Sequence, residues 1–335
     1  MVKILIVKIG AIGDVLRTTS ILPGLAEKYE PARIDWLTAA GARELLEWNS
    51  FIDKIFSWEE RDQITESYQL VVSLEDEKDA CRLVSNVRAD KVIGAHLEHG
   101  QLVYTPSAWF DMSLISRYGL ERANQLKKTN RKTFQEHLGD LLGIKVSPYV
   151  FKLLPDEIEY GRRVVRDLGI AKGEKVVGIN TGAGKRWPQK SWGIDRTIDL
   201  IKRLKKELGA VSLVLGGVDE RERNRLIARE TGMPDAGVHS LRGFAAIVNQ
   251  CRVILSSDSL ALHFAIALGK RLVVFFGPTS AAEIELYGLG QKLLAPVDCA
   301  VCYRKQCEIR PNCMDSLSVD AVFQSVKREF SQAPA

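Results

Sequence analysis

No uninterrupted apolar run in these 335 residues approaches the roughly 18 to 20 needed to cross a bilayer, so a transmembrane helix is not expected. The apolar opening, residues 1–7, runs into Lys8, Gly10, Gly13 and Asp14 with no small-residue cleavage pattern. It reads as a first strand rather than a signal peptide, and a cytoplasmic address is expected. Charge of one sign is not in excess: 47 Lys and Arg against 42 Asp and Glu leave a dispersed +5. That balance argues against nucleic acid as partner and suits an anionic ligand or a membrane surface. Cysteine is sparse, and four of the six lie in one short stretch, which is not a disulfide framework. Cys81 and Cys251 are expected as small buried hydrophobes. Two nucleotide-binding signatures are also missing, the G-x-G-x-x-G dinucleotide fingerprint and the Lys-Ser/Thr ending of a P-loop.

What is present is ordinary globular material. Hydrophobic residues make up 46% and charged ones 27%, which excludes disordered, collagen-like and coiled-coil classes. At roughly 150 residues per domain the length suggests two domains. Short apolar runs of strand length occur at residues 3–8, 33–38, 52–58, 69–74 and 91–95, with helical spacing between several of them. The same grammar restarts after a helical stretch at 156–169 that ends in Leu168-Gly169. Strands are expected at 175–180, 211–215, 252–256 and 271–276, and a helix at 192–208. The reading is an α/β chain of two doubly wound, Rossmann-like units, 1–158 and 159–335, with covered parallel sheets. Ligands of such sheets bind outside the carboxyl ends of the strands, so the chemistry is sought in the loops that follow them.

The first loop is Lys8-Ile9-Gly10-Ala11-Ile12-Gly13-Asp14-Val15-Leu16. Its glycines allow close backbone approach to a ligand. Asp14 falls at or near a helix start, where it is either a structural cap or a general base. The second loop, Asn180-Thr181-Gly182-Ala183-Gly184-Lys185-Arg186-Trp187-Pro188, offers small residues, a hydroxyl and two cations, a cradle for a pyrophosphate or a solvated basic loop. The third, Gly216-Gly217-Val218-Asp219-Glu220, carries a carboxylate that suits ribose hydroxyls and equally suits a capping role. The fourth brings Asp258 and Ser259 to a helix start, with His263 one and a half turns on, where a lone histidine is usually structural. Cys299, Cys302, Cys307 and Cys313, spaced C-x₂-C-x₄-C-x₅-C, have the donor set for one tetrahedral zinc or iron ion, structural if bound. Reduced thiols or a local disulfide are the alternatives.

Taken together, Lys8-x-Gly10-x-x-Gly13-Asp14-Val15-Leu16, Lys185-x-Trp187-Pro188 with Trp192, Gly216-Gly217-x-x-Glu220, Asp258-Ser259-x-x-x-His263 and the closing Cys313-Met314 with an apolar helix at 319–330 resemble the lipopolysaccharide heptosyltransferases, glycosyltransferase family 9. The resemblance implies a GT-B fold, two Rossmann-like domains facing across a cleft, with the last helix often packing back on the first domain. It implies an acceptor-binding first domain and a second domain that binds a nucleotide-sugar donor, usually ADP-heptose. Transfer would invert the anomeric centre and require no divalent cation.

Carried over, Asp14 is the base that deprotonates the acceptor hydroxyl and Lys185 meets the departing diphosphate. Thr181, Gly182, Ala183 and Gly184 lie beside the phosphates, Glu220 near the ribose, and Asp258, Ser259 and His263 on the donor side. Lys8, Gly13, Arg17, Lys128 and Arg131 are expected on the acceptor side, the last two in a basic cluster with Lys127 and Lys132 that could equally be a solvated helix end. Residues 75–79 and 109–117 match no acceptor motif. The acceptor implied is the lipopolysaccharide inner core or a related glycan, with peripheral contact at the cytoplasmic face of the inner membrane. Another nucleotide sugar, a protein acceptor, a sugar-nucleotide epimerase and a non-catalytic binding module are the competing readings. In some relatives that modify proteins the cysteine cluster holds iron.

Overall fold

The computed structural model describes residues 1–113, 118–304 and 306–333. They form two units, Met1–Lys152 with Ala282–Glu285, and Leu153–Ala281 with Leu286–Ala335. The change of unit falls six residues before the expected 158/159 boundary, and one short later segment belongs to the first unit.

The first unit has strands β1 (Val2–Val7), β2 (Ala32–Thr38), β3 (Lys54–Ser57), β4 (Tyr68–Ser73), β5 (Ala89–Glu98) and β6 (Gln101–Tyr104), in sheet order β3-β2-β1-β4-β5-β6. All neighbours pair in parallel except β5 and β6. The helices are α1 (Ile12–Thr18), α2 (Leu22–Lys28), α3 (Lys78–Asn86), α4 (Ala108–Ser113), α5 (Gly119–Thr129) and α6 (Phe134–Leu142). β1 shows why the run from Ile4 to Val7 is apolar throughout. Ile4 and Ile6 join one buried cluster with Leu70 and Val72, whereas Leu5 and Val7 join another with Leu37 and Val71. Side chains alternate across a strand, so a sheet covered on both faces asks for apolar residues at every position.

The second unit has α7 (Pro155–Asp167), β7 (Val176–Asn180), α8 (Ile194–Leu208), β8 (Val211–Leu215), α9 (Arg221–Thr231), α10 (Leu241–Val248), β9 (Val253–Ser257), α11 (Leu260–Ala267), β10 (Arg271–Phe276), β11 (Gly290–Leu294) and α12 (Val319–Gln332). Its sheet order is β11-β10-β9-β7-β8, parallel throughout. The expected final helix is present as α12, and it packs on the core of the second unit. Val322, Phe323, Val326 and Phe330 are buried in the core formed by Val177, Leu255, Val273 and Phe275. Their spacing lays one stripe of the helix on the sheet, and burial of each such side chain is worth about 1.5–3 kcal/mol. Among the described residues no helix is long and apolar enough to cross a membrane.

Every strand expected from the sequence forms within a few residues of its place. The two that were not expected, β6 and β11, are edge strands with largely half-buried side chains. In each sheet the strand order reverses at one point, between β1 and β4 in the first and between β7 and β9 in the second. In open parallel sheets the loops diverge at such a point, and the crevice this leaves beyond the strand ends is where ligands bind.

Candidate active site

In the first unit the crevice is bordered by the loop after β1 and the segment after β4. The β1 loop is held by a residue with no assigned role in the sequence reading, Glu75. Its Oε1 accepts hydrogen bonds from Lys8 Nζ at 2.7 Å, Ile9 N at 2.7 Å and Gly10 N at 3.1 Å. Lys8 Nζ also donates to the Gly10 carbonyl, and the Lys8 carbonyl accepts from Trp36 Nε1 at 3.2 Å. Lys8 and Glu75 are 10% and 15% exposed, so the pair is a largely desolvated clip. Lys8, expected on the acceptor side, is thus committed to Glu75. Beside it the Asp76 carboxyl is held above the usual carboxylate range by burial, with Glu75 and Glu77 adding to the shift and Lys8 opposing it.

This clip delivers the chain into α1. Ala11 occupies the N-cap and makes no side-chain cap bond, Gly13 is the second helical residue and Asp14 the third. Asp14 therefore does not serve as the cap. Its carboxylate lies 2.9 Å from Arg17 Nε, one turn on. Arg17 is buried, with its guanidinium 3.9 Å from the centre of the Phe134 ring and 5.8 Å from that of Trp109. Arg17, expected on the acceptor side, thus pairs with Asp14 and stacks on aromatics.

The basic cluster does not converge. Lys127 is half-buried, and its ammonium is held below its usual value by burial and by Arg17, against the pull of Glu283. Lys128 and Arg131 are exposed. Arg131 Nη1 donates to the carbonyls of Lys128 at 3.2 Å and Asn130 at 2.9 Å, while Lys132 pairs with Asp140 at 2.6 Å. These three finish a helix end, and Lys127 alone turns inward. Of residues 109–117, the last four lie outside the described residues.

In the second unit the loops after β7, β8 and β9 are tied into one structure. Asn180, the last residue of β7, donates from Nδ2 to Gly182 O at 2.6 Å and to Ser259 Oγ at 3.1 Å. Ser259 Oγ also meets Ser256 Oγ at 2.9 Å. Thr181, buried, donates to Asn224 Oδ1 at 2.5 Å. Glu220 takes the capping role that its position suits and adds to it: Oε2 accepts from Gly217 N and Oε1 from Gly184 N in the loop after β7, each at 2.9 Å. Its carboxylate clips two loops together, a duty beyond the ribose contact expected of it. Gly182 is required by this clip, since a Cβ there would stand 2.5 Å from Glu220 Oε1. Ala183 and Gly184 follow, Gly184 with φ +72°, a conformation that glycine adopts without strain.

Lys185 is 87% exposed, and its ammonium makes only a 3.5 Å contact with Asp219. Lys190, not singled out by the sequence, is buried instead. Its Nζ donates to Asp258 Oδ2 at 2.6 Å and to Asp258 O at 3.0 Å. Ser259 stands at the N-cap of α11, and His263 within that helix is 5% exposed.

All four clustered cysteines line one pocket with Gln189, Pro278, Val297, Ile309 and Pro311. Burial first, and then the neighbouring thiols, push the Cys313 thiol up to about 11. Gly277 leaves room for it, because a Cβ there would meet Cys313 Sγ at 2.5 Å. The donor set is that of a thiolate-bound ion. The placement is not, since among the described residues no three such donors are positioned to hold one. Alkylation with iodoacetamide at pH 8, mapped by mass spectrometry, is expected to mark exposed Cys299 first. Cys81 and Cys251, buried and with thiols raised to about 11 and about 12, are expected to react only on unfolding. Protection of Cys299 equal to that of Cys251 would contradict this order and point to a bound ion.

Two doubly wound units, each with polar loops at its switch point, place the chain in the GT-B class. The model of the family described as glycosyltransferase family 9 (heptosyltransferase) matches residues 119–312. The chain belongs to this family, and it is a glycosyltransferase. It is 26% identical to lipopolysaccharide heptosyltransferase 1 of Pseudomonas aeruginosa over 328 residues, covering 92% of this chain and 88% of that protein. Its fold matches a glycosyl transferase family 9 protein of Veillonella parvula with a TM-score of 0.78 at 16% identity, over 99% of this chain and 97% of the other. It matches the ADP-heptose lipopolysaccharide heptosyltransferase II of Escherichia coli with a TM-score of 0.66 at 17% identity, over 98% and 99%.

Proposed function

We propose that this chain transfers a heptosyl group from ADP-heptose to a saccharide of the lipopolysaccharide inner core, with inversion at the anomeric carbon and no divalent cation. The observation that carries the reading is the division of labour between the two switch points. The first unit offers Asp14, a partly exposed carboxylate in the first turn of the helix that follows a clipped loop. The second offers a clipped glycine loop, Thr181–Gly184, followed by the extended cation Lys185.

In the proposed step Asp14 takes the proton of the acceptor hydroxyl, and the freed oxygen attacks the anomeric carbon. The bond from that carbon to the diphosphate breaks, and ADP leaves with its electron pair. Lys185 meets the charge that develops on the leaving oxygen, and groups fixed before the reaction serve best because they need no reorganisation. Asp258 and Ser259 supply polar contacts to the sugar and phosphates. Work at the cytoplasmic face of the inner membrane fits a lipid-linked acceptor and a chain with no membrane-crossing helix among its described residues.

The test is a donor screen on the purified protein with ADP-heptose, other ADP- and UDP-sugars and heptose-deficient lipopolysaccharide. ADP release that depends on the acceptor, with a mass gain of one heptose, is the expected result. Conversion of a nucleotide sugar without acceptor would instead mark an epimerase.

A further inference from the structure

Lys190 is a fixed cation in a set of loops whose other lysine, Lys185, extends into solvent. The turn Pro188–Lys190 brings it inward, with Lys190 N donating to Trp187 O at 3.0 Å. Its ammonium lies 5.5 Å from the centre of the Trp187 ring and bonds both the carboxylate and the carbonyl of Asp258. The two side chains are 10% and 18% exposed. They belong to the loops after β7 and β9, the two that border the second unit's switch point.

A desolvated carboxylate without a counter-charge is strongly disfavoured, and beside a diphosphate it repels the ligand. Lys190 cancels that charge. By holding the Asp258 carbonyl it also fixes the backbone that leads into Ser259, whose hydroxyl is bonded to Asn180 in the opposite loop. We propose that Lys190 is a positioning residue of the donor site. It neutralises Asp258 and locks the β9 loop to the β7 loop, so that the donor diphosphate meets a wall without net charge while Lys185 stays free to follow the leaving group. This rests on the donor reading above.

The experiment is a double-mutant cycle on the full chain, with ADP affinity measured by calorimetry and donor and acceptor KM by kinetics. Lys190→Met is expected to weaken ADP binding by about tenfold or more and to raise donor KM, leaving acceptor KM unchanged. In the Asp258→Asn background the same substitution is expected to cost less than about threefold, because the charge it cancels is gone. Thermal melting checks that each variant is folded. Lys190→Gln, which keeps a hydrogen-bond donor without the charge, gives the same comparison if the Met variant does not fold. Wild-type protein that binds no ADP would overturn the donor reading and this inference together. Wild-type binding with an equal loss in both backgrounds, or with ADP affinity within twofold in folded Lys190 variants, would overturn the inference alone.

Discussion

Asp14→Asn is expected to lower kcat by about 10²- to 10⁴-fold, the usual contribution of a positioned general base, while ADP affinity stays at the wild-type value. The asparagine keeps the shape of the side chain and removes its basicity. The ion pair with Arg17 is weakened, and because Arg17 is 9% exposed the variant is also expected to melt somewhat earlier, which thermal melting separates from the loss of turnover. All residues assigned to the donor lie in the second unit, so their affinity for ADP is independent of this change. The measurement is single-turnover transfer beside calorimetric ADP binding. Turnover near the wild-type rate would remove Asp14 from the role of base.

Glu75→Ala is expected to destabilise the fold by about 3–5 kcal/mol, the cost of breaking a buried ion pair from one side. The largely buried Lys8 ammonium loses its counter-charge, and the amides of Ile9 and Gly10 lose their acceptor. The loop that carries Asp14 into α1 is then held only by its backbone bonds, so transfer should fall even at temperatures where the variant is folded. The change in urea midpoint at unaltered m-value measures the first effect. A loss below about 1 kcal/mol, the range of an exposed pair, would show that the clip is not structural.

These two predictions mark what a sequence of this kind discloses and what it hides. The position of Asp14 at the first switch point is legible because it lies seven residues after a strand whose last four residues are all apolar, directly behind a glycine-bearing loop where parallel sheets place their chemistry. Thr181 to Gly184 are legible for the same reason. Glu75 and Lys190 are hidden because each gains its meaning from a partner far along the chain, Lys8 for one and Asp258 for the other, 67 and 68 residues away. Parallel β-α-β connection puts such partners side by side only once the strand order is known. Of the two bonds that Glu220 makes, the local one to Gly217 is legible as a capping acid, whereas the one to Gly184 depends on the loops after β7 and β8 lying next to each other. The basic residues at 127–132 show the opposite case, a stretch for which the sequence left an acceptor cluster and a solvated helix end equally open. They are neighbours in sequence, but the end of α5 and the capped start of α6 send their side chains in different directions.

The segment Ala282–Glu285 has a consequence for modularity. It counts with the first unit although it lies deep in the polypeptide of the second, and its Glu283 carbonyl accepts the Phe134 amide at 3.0 Å. The chain therefore passes from one unit to the other three times, not once. A single protease nick at 152/153 would leave the fragments joined by that shared segment. Recombination that exchanged second units between relatives at one breakpoint would hand the recipient's first unit a foreign strap, so the two units are not freely interchangeable cassettes.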